Sequence, residues 1–201
     1  MERKIESIAL FDMDGTLCDY NRGLREGLDK IMSPEEKRIY GDKLNNIDFH
    51  LIPKELRGYF DKIRASEEWW ENLPKFQLGW DVLGVAQELD YRVMILTQGP
   101  RRNPYAWSGK KRWIDKNLGE DFDITITRDK GVVYGKVLVD DWPAYIRKWL
   151  VWRERGFVIM PANNHNINFK HPQVIRYDGN NLDEVRNAMD KVKLREKVVL
   201  T

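Results

Sequence analysis

The sequence has 201 residues, of which 42% are hydrophobic and 33% are charged, enough for one globular domain with a sizeable core. Its 34 basic and 32 acidic residues leave a net charge of +2, which predicts no strong binding to nucleic acid. Cys18 is the only cysteine, so no intramolecular disulfide is expected, as is typical of a cytoplasmic protein. We expect no membrane span, because no apolar run approaches the roughly 18 residues that a span needs, and no secretory leader, because the first apolar run already breaks at Asp12.

A short apolar run near the amino terminus, Ile8 to Phe11, ends at two carboxylates, Asp12 and Asp14, followed by Gly15. An apolar run of this length that is bounded by turn residues predicts a buried strand. In an open α/β sheet, ligands bind beyond the carboxyl ends of such strands, and glycine lets the backbone turn sharply beneath a ligand. Taken alone, the stretch also fits a plain Asp-rich turn.

Residues 19–76 are polar and follow a helical pattern. Ser33 before Pro34 is a typical helix start, with the serine as N-cap and the proline at the first helical position. Another helix is predicted to begin at Pro53, and its apolar stripe consists of Leu56, Tyr59, Phe60 and Ile63. We therefore expect a small helical cap at residues 19–76, inserted after the first strand of a core formed by residues 1–18 and 77–201.

From Gly79 onwards, the pattern alternates between helices and strands. The predicted strands span residues 91–96, 123–127, 136–139, 156–160 and 174–177. The predicted helices span residues 82–89 and 107–118, and a third is capped by Asn181 with Glu184 at the capping-box position. This alternation is typical of an α/β fold with a mostly parallel sheet and helices on both faces.

Polar residues stand where four of these strands end: Asp12 and Asp14, Thr97, Lys130, and the pair Asp140 and Asp141. Because the carboxyl ends of parallel strands meet at one edge of a sheet, such residues can share one pocket. Each signal by itself also has an ordinary explanation: a strand-end threonine, a solvated turn lysine, or a helix N-cap. Their joint placement at strand ends favours a functional site.

The chemistry of such a cluster is restrictive. Four carboxylates in one cleft raise one another's pKa unless cations neutralise them. Mg²⁺ fits because it binds carboxylates, water and substrate phosphate, and Lys130 adds a further positive charge. Thr97 offers a hydroxyl and a backbone N–H to phosphate oxygens. Asp12 is a competent nucleophile at phosphorus, and Asp14 is near enough in sequence to transfer protons.

This set of strand-end residues resembles the catalytic signature of the haloacid dehalogenase (HAD) superfamily of phosphatases. The residues that carry this resemblance are Asp12-Met13-Asp14-Gly15-Thr16-Leu17, Thr97, Lys130 and Asp140-Asp141. Three longer segments resemble the 5′(3′)-deoxyribonucleotidase family: Arg112 to Gly119, Ile126 to Val133, and Leu138 to Asp141. The resemblance implies a HAD-like Rossmannoid core of three layers with a mostly parallel sheet and a small helical cap.

The resemblance also implies a role for each residue. Asp12 would be the nucleophile that forms an aspartyl-phosphate, and Asp14 would be the general acid/base. Thr97 would bind phosphate, and Lys130 would stabilise the nucleophile and the phosphoryl charge. The implied Mg²⁺ site consists of Asp12, Asp14 through its backbone carbonyl, Asp141 as a direct ligand and Asp140 in support.

The leaving group of the substrate is expected to contact the cap. The aromatic candidates for stacking on a nucleobase are Phe49, Trp69, Trp70 and Phe76, although each could instead hold the cap together. Gln98 follows Thr97 where these nucleotidases often have serine, and it is a candidate contact to a phosphate or a base edge. Four basic residues are expected mostly to form a solvated face: Arg101, Arg102, Lys110 and Lys111.

The sequence thus predicts a Mg²⁺-dependent phosphomonoesterase that acts on a (deoxy)nucleoside monophosphate. The alternatives are a HAD phosphatase for another small phosphate, such as a sugar phosphate, and an enzyme for polynucleotide phosphate ends. A non-catalytic HAD-fold binding module typically lacks a core position, whereas here Asp12, Asp14, Lys130 and Asp141 are all present. The pattern leaves a homodimer open.

Overall fold

The computed structural model describes residues 7–45 and 54–195. The first of two compact units comprises the described parts of Met1–Leu17, Phe76–Gln98 and Asp123–Thr201, and the second those of Cys18–Lys75 and Gly99–Phe122. The described residues of the predicted cap, 19–76, fall in the second unit except for the last one, and this unit also includes residues 99–122. The division of the chain into core and cap domains stays a prediction. Over the described ranges, no helix is long and apolar enough to cross a membrane.

The first unit is built on one parallel sheet. Its strands in the described ranges are β1 (Ile8–Phe11), β2 (Arg92–Thr97), β3 (Ile124–Ile126), β4 (Val137–Val139), β5 (Phe157–Pro161) and β6 (Val174–Tyr177). Their order is β3-β2-β1-β4-β5-β6, and neighbouring strands run parallel. β1 therefore lies between β2 and β4, at the point where open α/β sheets bind ligands. The predicted α/β fold with a mostly parallel sheet is confirmed.

The α-helices are divided between the two units. Numbered in chain order over the described residues, they are α1 (Tyr20–Ile31), α2 (Pro34–Asn45), α3 (Arg57–Arg64), α4 (Glu67–Glu71), α5 (Gln77–Glu88), α6 (Pro104–Asn117), α7 (Pro143–Val151) and α8 (Leu182–Leu194). Helices α5, α7 and α8 belong to the unit with the sheet, and the others belong to the second unit.

Alternate residues of the central strands face different helices. Leu10 on β1 is in register with Leu138 on β4, and both pack with Trp149 of α7 in one apolar cluster. Phe11, the next residue along β1, is in register with Val139, and both are fully buried. Successive side chains of a strand point to opposite faces, and α5 and α8 contact the strands as well as each other. Helices on both faces give this unit three layers.

The second unit has its own apolar interior. Its main cluster joins α1, α3 and the 3₁₀ turn Lys54–Leu56 through Leu24, Leu28, Met32, Leu56, Phe60 and Ile63. Helix α6 packs closely on α4, because a Cβ atom at Gly109 would lie 2.5 Å from the Cβ of Trp70. The indole N–H of Trp113 on α6 donates to the carbonyl of Leu73 over 2.7 Å. These contacts explain why α6 groups with the helical segment.

Two helix starts show how the sequence sets local structure. Ser33 forms the predicted cap: its hydroxyl accepts from the N–H of Glu36 (3.3 Å), and its own N–H donates to the Glu36 carboxylate (2.8 Å). Helix α6 begins at Pro104, three residues earlier than predicted. There the Asn103 side chain accepts from the N–H of Ala106 (3.3 Å), and a proline at the first helical position loses no hydrogen bond.

Of the three other predicted helix starts, one differs from the structure, one is right but lacks its predicted capping box, and one falls outside the described residues. Helix α5 begins at Gln77 rather than at residue 82. Asn181 is the N-cap residue of α8, but its amide donates to the carbonyl of Arg176 (3.1 Å) and to the carboxylate of Glu184 (2.8 Å). The predicted capping box is therefore wrong, because these acceptors engage the side chain instead. Pro53 lies outside the described residues.

Gly79 of α5 contacts the turn that follows β1. A Cβ atom added there would lie 1.9 Å from the backbone oxygen of Thr16, which cannot move without disturbing that turn. We therefore expect Gly79→Ala to lower the free energy of unfolding by about 1–3 kcal/mol, as overpacking does. Urea unfolding measures this change.

Gly84→Ala in the same helix is the matched control. A Cβ atom there meets nothing within 4 Å. Alanine is favoured over glycine in a helix, so this variant is expected to gain about 0.5–1 kcal/mol. Equal losses in the two variants would contradict the close contact at Gly79.

Candidate active site

The carboxyl ends of β1 and β4 bring three aspartates together. The N–H of Asp12 donates to the carbonyl of Val139 (2.9 Å), which extends the pairing of these strands by one residue. The N–H of Asp140 donates to the carbonyl of Ile159 on β5 (3.2 Å). Asp12, Asp140 and Asp141 leave the sheet side by side, and they are 5%, 0% and 4% exposed.

Lys130 lies between two of these carboxylates. Its Nζ is 2.8 Å from Oδ1 of Asp12 and 2.6 Å from Oδ2 of Asp140, and the residue is only 2% exposed. A 3₁₀ turn, Lys130–Val132, positions it, and the Asp129 side chain caps that turn by accepting from the N–H of Gly131 (3.0 Å). The predicted strand-end lysine therefore reaches the predicted strand-end aspartates.

Burial and charge act against each other in this triad. Burial lowers the pKa of Lys130, but the charges of Asp12 and Asp140 outweigh burial, so the net effect raises the pKa of the ammonium above its ordinary value. Burial raises the pKa of Asp140, Lys130 opposes that rise, and Asp12 adds to it. The other oxygen of Asp140 accepts from the N–H of Trp142 (2.9 Å). Both carboxylate oxygens of Asp140 are therefore engaged.

Asp141 has different partners. Its Oδ2 lies 2.9 Å from Nε2 of His165 and 3.4 Å from Nδ2 of Asn163. Its Oδ1 accepts from the hydroxyl of Thr16 over 3.4 Å. Burial raises the pKa of Asp141, and the hydrogen bond and charge of His165 lower it. Asp140 therefore forms an ion pair with Lys130, whereas Asp141 contacts the turn after β1.

The donor set fits a hard divalent cation. In the part of the chain that the structure describes, one cluster of potential ligands stands out, formed by Asp12, Asp140 and Asp141 with oxygens within 4.8 Å of one another. Gly15 closes the cradle, because a Cβ atom there would lie 2.2 Å from Oδ2 of Asp141. Carboxylate oxygens at this spacing suit Mg²⁺. The side chain of Asp14 is not in the cluster.

Thr97 and Gln98 follow the neighbouring strand. Thr97 is fully buried at the end of β2, whose Ile95 is in register with Phe11 of β1. The side-chain amide of Gln98 lies between two residues that the sequence analysis did not select. When its oxygen faces Arg128, that oxygen is 3.1 and 3.2 Å from the guanidinium nitrogens, and its nitrogen meets the hydroxyl of Tyr145. The ring of Tyr145 also lies 4.8 Å from Nζ of Lys130.

The predicted aromatic contacts are divided between the units. In the second unit, the ring of Trp69 lies 5.4 Å from that of Tyr20 and 4.8 Å from that of Trp70. The buried Trp70 indole donates to the carbonyl of Arg64 (2.8 Å), a contact that serves packing. Phe76, in the first unit, is the N-cap residue of α5. The role of these side chains towards a base stays a prediction, and Phe49 lies outside the described residues.

The basic residues of the second unit are not all solvated. Arg101 and Arg102 are exposed, as expected. Lys110 is fully buried, and its Nζ lies 5.4 Å from the ring centre of Trp70. The expectation of a solvated face is therefore wrong for Lys110, because α6 turns this residue towards α4.

Comparison with known proteins identifies the family. The family model described as 5′ nucleotidase, deoxy (pyrimidine), cytosolic type C protein (NT5C) matches residues 6–189. The chain belongs to this family. The human cytosolic-type 5′(3′)-deoxyribonucleotidase is 28% identical over 139 residues, which cover 66% of this chain and 69% of that protein. The chain is therefore a phosphoric monoester hydrolase, as the sequence predicted.

Two solved structures share the fold at low sequence identity. One is assigned as a haloacid dehalogenase-like hydrolase from Burkholderia xenovorans, with a TM-score of 0.54, 15% identity, and coverage of 95% of this chain and 99% of that one. The other is assigned as a HAD hydrolase from Bacillus subtilis and was described bound to magnesium. Its TM-score is 0.52 at 15% identity, with coverage of 92% and 99%. The predicted HAD-like fold is confirmed.

Sequence reasoning missed the polar residues after β5. Asn163, His165 and Asn166 contact Asp141, yet they follow a predicted strand end just as the selected residues do. The rule that ligands bind beyond the carboxyl ends of strands could have found them. The same rule would have pointed to Arg128, which stands between Thr127 and Lys130.

Lys130→Met tests the buried ion triad. The substitution leaves Asp12 and Asp140 buried side by side without their shared cation. We expect a loss of about 3–5 kcal/mol in the free energy of unfolding, as for broken buried ion pairs. Hydrolysis of p-nitrophenyl phosphate is expected to fall by about 100- to 1000-fold, because a preorganised charge is lost.

Lys148→Met is the control for this change. Nζ of Lys148 lies 3.0 Å from Oδ2 of Asp129, and its side chain is 51% exposed. Exposed pairs contribute about 0–1 kcal/mol, so stability and activity are expected to stay near those of the wild type. Comparable losses in both variants would contradict a special role for the buried triad.

Gly15→Ala tests the cradle beside Asp141. Gly15 has φ +76°, a left-handed conformation, and the added Cβ atom would collide with the Asp141 carboxylate. We expect p-nitrophenyl phosphate hydrolysis to fall at least about tenfold, because displacing a candidate metal ligand has effects of that size. Gly119→Ala controls for backbone strain, since Gly119 has φ +113° but open space around it. An equal loss of activity in Gly15→Ala and Gly119→Ala would contradict this explanation.

Proposed function

We propose that this protein hydrolyses (deoxy)nucleoside monophosphates to nucleoside and phosphate in a Mg²⁺-dependent reaction through an aspartyl-phosphate. The observation that carries the proposal is the Asp12 carboxylate at the end of β1, paired with Lys130 at 2.8 Å and flanked by Asp141. A phosphoryl group that enters this site meets a carboxylate nucleophile next to a fixed positive charge. Phosphoryl transfer depends chiefly on such positioning and charge neutralisation.

In the first step, a carboxylate oxygen of Asp12 attacks phosphorus and forms the aspartyl-phosphate bond. The bond between phosphorus and the nucleoside oxygen breaks, and its electron pair stays on that oxygen. Asp14, in its protonated form, donates its proton to the oxygen, so the nucleoside leaves as an alcohol. Lys130 neutralises charge throughout, and Thr97 donates hydrogen bonds to a phosphate oxygen.

In the second step, Asp14 is a carboxylate and takes a proton from a water molecule. The oxygen of that water attacks phosphorus, and the bond between phosphorus and Asp12 breaks. Asp12 returns to its carboxylate form, and inorganic phosphate leaves. The proton that Asp14 gained prepares it for the next turnover.

The residues that would hold Mg²⁺ are Asp12 and Asp141 through their carboxylates and Asp14 through its backbone carbonyl. When bound, the ion neutralises phosphate charge and orients the phosphoryl group. Asp140 supports the site from behind, because its two oxygens are engaged by Lys130 and by the N–H of Trp142. The magnesium described in the HAD hydrolase from Bacillus subtilis supports this assignment.

The family description and the human relative support the substrate class. The family is described as a deoxy (pyrimidine) 5′ nucleotidase, and the human relative is named a 5′(3′)-deoxyribonucleotidase of cytosolic type. A nucleoside monophosphate combines the phosphate that the site neutralises with a base that aromatic rings can bind. The relative's name also supports a cytosolic location for this chain.

Phosphate release from a substrate panel tests the proposal. The panel holds ribo- and deoxyribonucleoside monophosphates, sugar phosphates and a phosphorylated oligonucleotide, each with Mg²⁺ and with EDTA. We expect fast release from deoxynucleoside monophosphates, a loss of activity in EDTA, and a decrease of at least roughly 1000-fold in Asp12→Asn. Asp121→Asn, an exposed aspartate, is the matched control.

Other outcomes would change the assignment in defined ways. Preferential release from sugar phosphates or from the oligonucleotide would keep the Asp12 chemistry and overturn the substrate class. Full activity in EDTA would overturn the role of Mg²⁺. Activity retained in Asp12→Asn would overturn the aspartyl-phosphate mechanism.

A further inference from the structure

The turn after β5 carries four polar residues in succession, Asn163 to Asn166. Asn163, His165 and Asn166 touch the loops that hold the candidate metal ligands, and we call these three residues the β5 clamp. Asn164 is exposed and is not part of it. A partly buried polar network of this kind is expected to be hydrogen-bonded and to fix one local conformation.

Asn163 joins two of the strand-end loops. Its Nδ2 donates to the carbonyl of Gly15 after β1 (2.9 Å) and lies 3.4 Å from Oδ2 of Asp141 after β4. It also lies 3.3 Å from the carbonyl of Pro161, at the end of β5. One side chain therefore ties the ends of three strands together. Gly15 directly follows Asp14, whose backbone carbonyl is the proposed third protein ligand.

Asn166 holds the backbone of Asp141 from the interior. It is fully buried, and its Nδ2 donates to the carbonyls of Asp141 (3.0 Å) and Pro161 (2.9 Å). Its Oδ1 accepts from the N–H of Asn163 (3.0 Å) and from Nε of Arg176 on β6 (3.1 Å). All the polar atoms of this amide have partners, so its orientation is fixed by the sheet.

His165 completes the clamp from the outer side. Its Nε2 lies 2.9 Å from Oδ2 of Asp141 and 3.1 Å from the backbone oxygen of the same residue. The ring of Trp142 lies 4.8 Å from the imidazole and limits its movement. The carboxylate and the backbone of Asp141 are thus held from two directions.

We propose that the β5 clamp is a positioning element that sets the Mg²⁺ affinity of the site by preorganising Asp141 and the Gly15 turn. This inference rests on the proposed function, because it assigns these residues to the proposed metal site. Outer-shell hydrogen bonds orient metal ligands, and their loss typically weakens metal affinity by about 10- to 100-fold. None of the three residues is assigned contact with phosphate or with a reacting atom.

Asn163→Ser tests the clamp. Serine suits a helix N-cap but lacks the amide that reaches Gly15 and Asp141. We expect Mg²⁺ to bind the full chain about 10- to 100-fold more weakly in this variant. Calorimetry and the Mg²⁺-induced shift in thermal unfolding, both without substrate, measure this change. Asn164→Ser, one residue along the same turn, is expected to bind Mg²⁺ like the wild type. Asn163→Thr is a second variant that also lacks the amide. Its β-branched side chain suits the extended backbone at this position (φ −135°, ψ 163°), so it is expected to fold.

Kinetics separate positioning from a general loss of structure. In both Asn163 variants, the Mg²⁺ concentration for half-maximal phosphate release is expected to rise. At saturating Mg²⁺, kcat and the KM for substrate are expected to return to near the wild-type values. A variant that is only misfolded would not recover in this way.

Two results would overturn the clamp while leaving the proposed function intact. One is wild-type Mg²⁺ affinity in the Asn163 variants, and the other is a loss that excess Mg²⁺ does not restore or that Asn164→Ser shares. Failure of the proposed function looks different. In that case, the wild-type protein itself would bind no Mg²⁺ or would release phosphate equally well in EDTA.

Discussion

The buried contact of the Lys130 ammonium with the carboxylates of Asp12 and Asp140 is the interaction on which the site depends. Burial opposes charge on every one of these groups, and two carboxylates side by side repel each other. The lysine between them opposes both effects, because its ammonium attracts each carboxylate. For this contact to form, the fold must bring the 3₁₀ turn Lys130–Val132 up to the ends of β1 and β4.

The parallel sheet provides this arrangement because its central strands end side by side. β1 pairs with both β2 and β4, so the chain leaves the sheet at one edge with Asp12, Thr97 and Asp140 on neighbouring strands. The close approach of helix α5 at Gly79 and the left-handed Gly15 then shape the turn after β1. The favourable free energy of apolar packing between the sheet and its helices offsets the unfavourable free energy of burying several charged groups.

The two adjacent aspartates after β4 have different partners, because the backbone directs their side chains to different loops. Asp140 is engaged by Lys130 and by a backbone N–H, so it acts within the ion triad. Asp141 meets Thr16 and the polar turn after β5 instead. The sequence alone predicted that Asp140 and Asp141 follow a strand end. The partners of Asp141 could not be predicted, because they are residues more than 20 positions away in the sequence.

By itself, the sequence determined the strands, the strand-end polar residues and the family resemblance. Hydrophobic runs, glycine turns and adjacent carboxylates are local features, and they favour a local structure that can be predicted without knowing the rest of the fold. Only the tertiary structure decided that Lys110 is buried, that α6 packs in the helical unit, and that Asn163 and Asn166 hold Asp141. Each of these depends on which distant surfaces meet. A lysine or an asparagine has the same local pattern whether it faces water or completes a buried network, and only packing distinguishes the two cases.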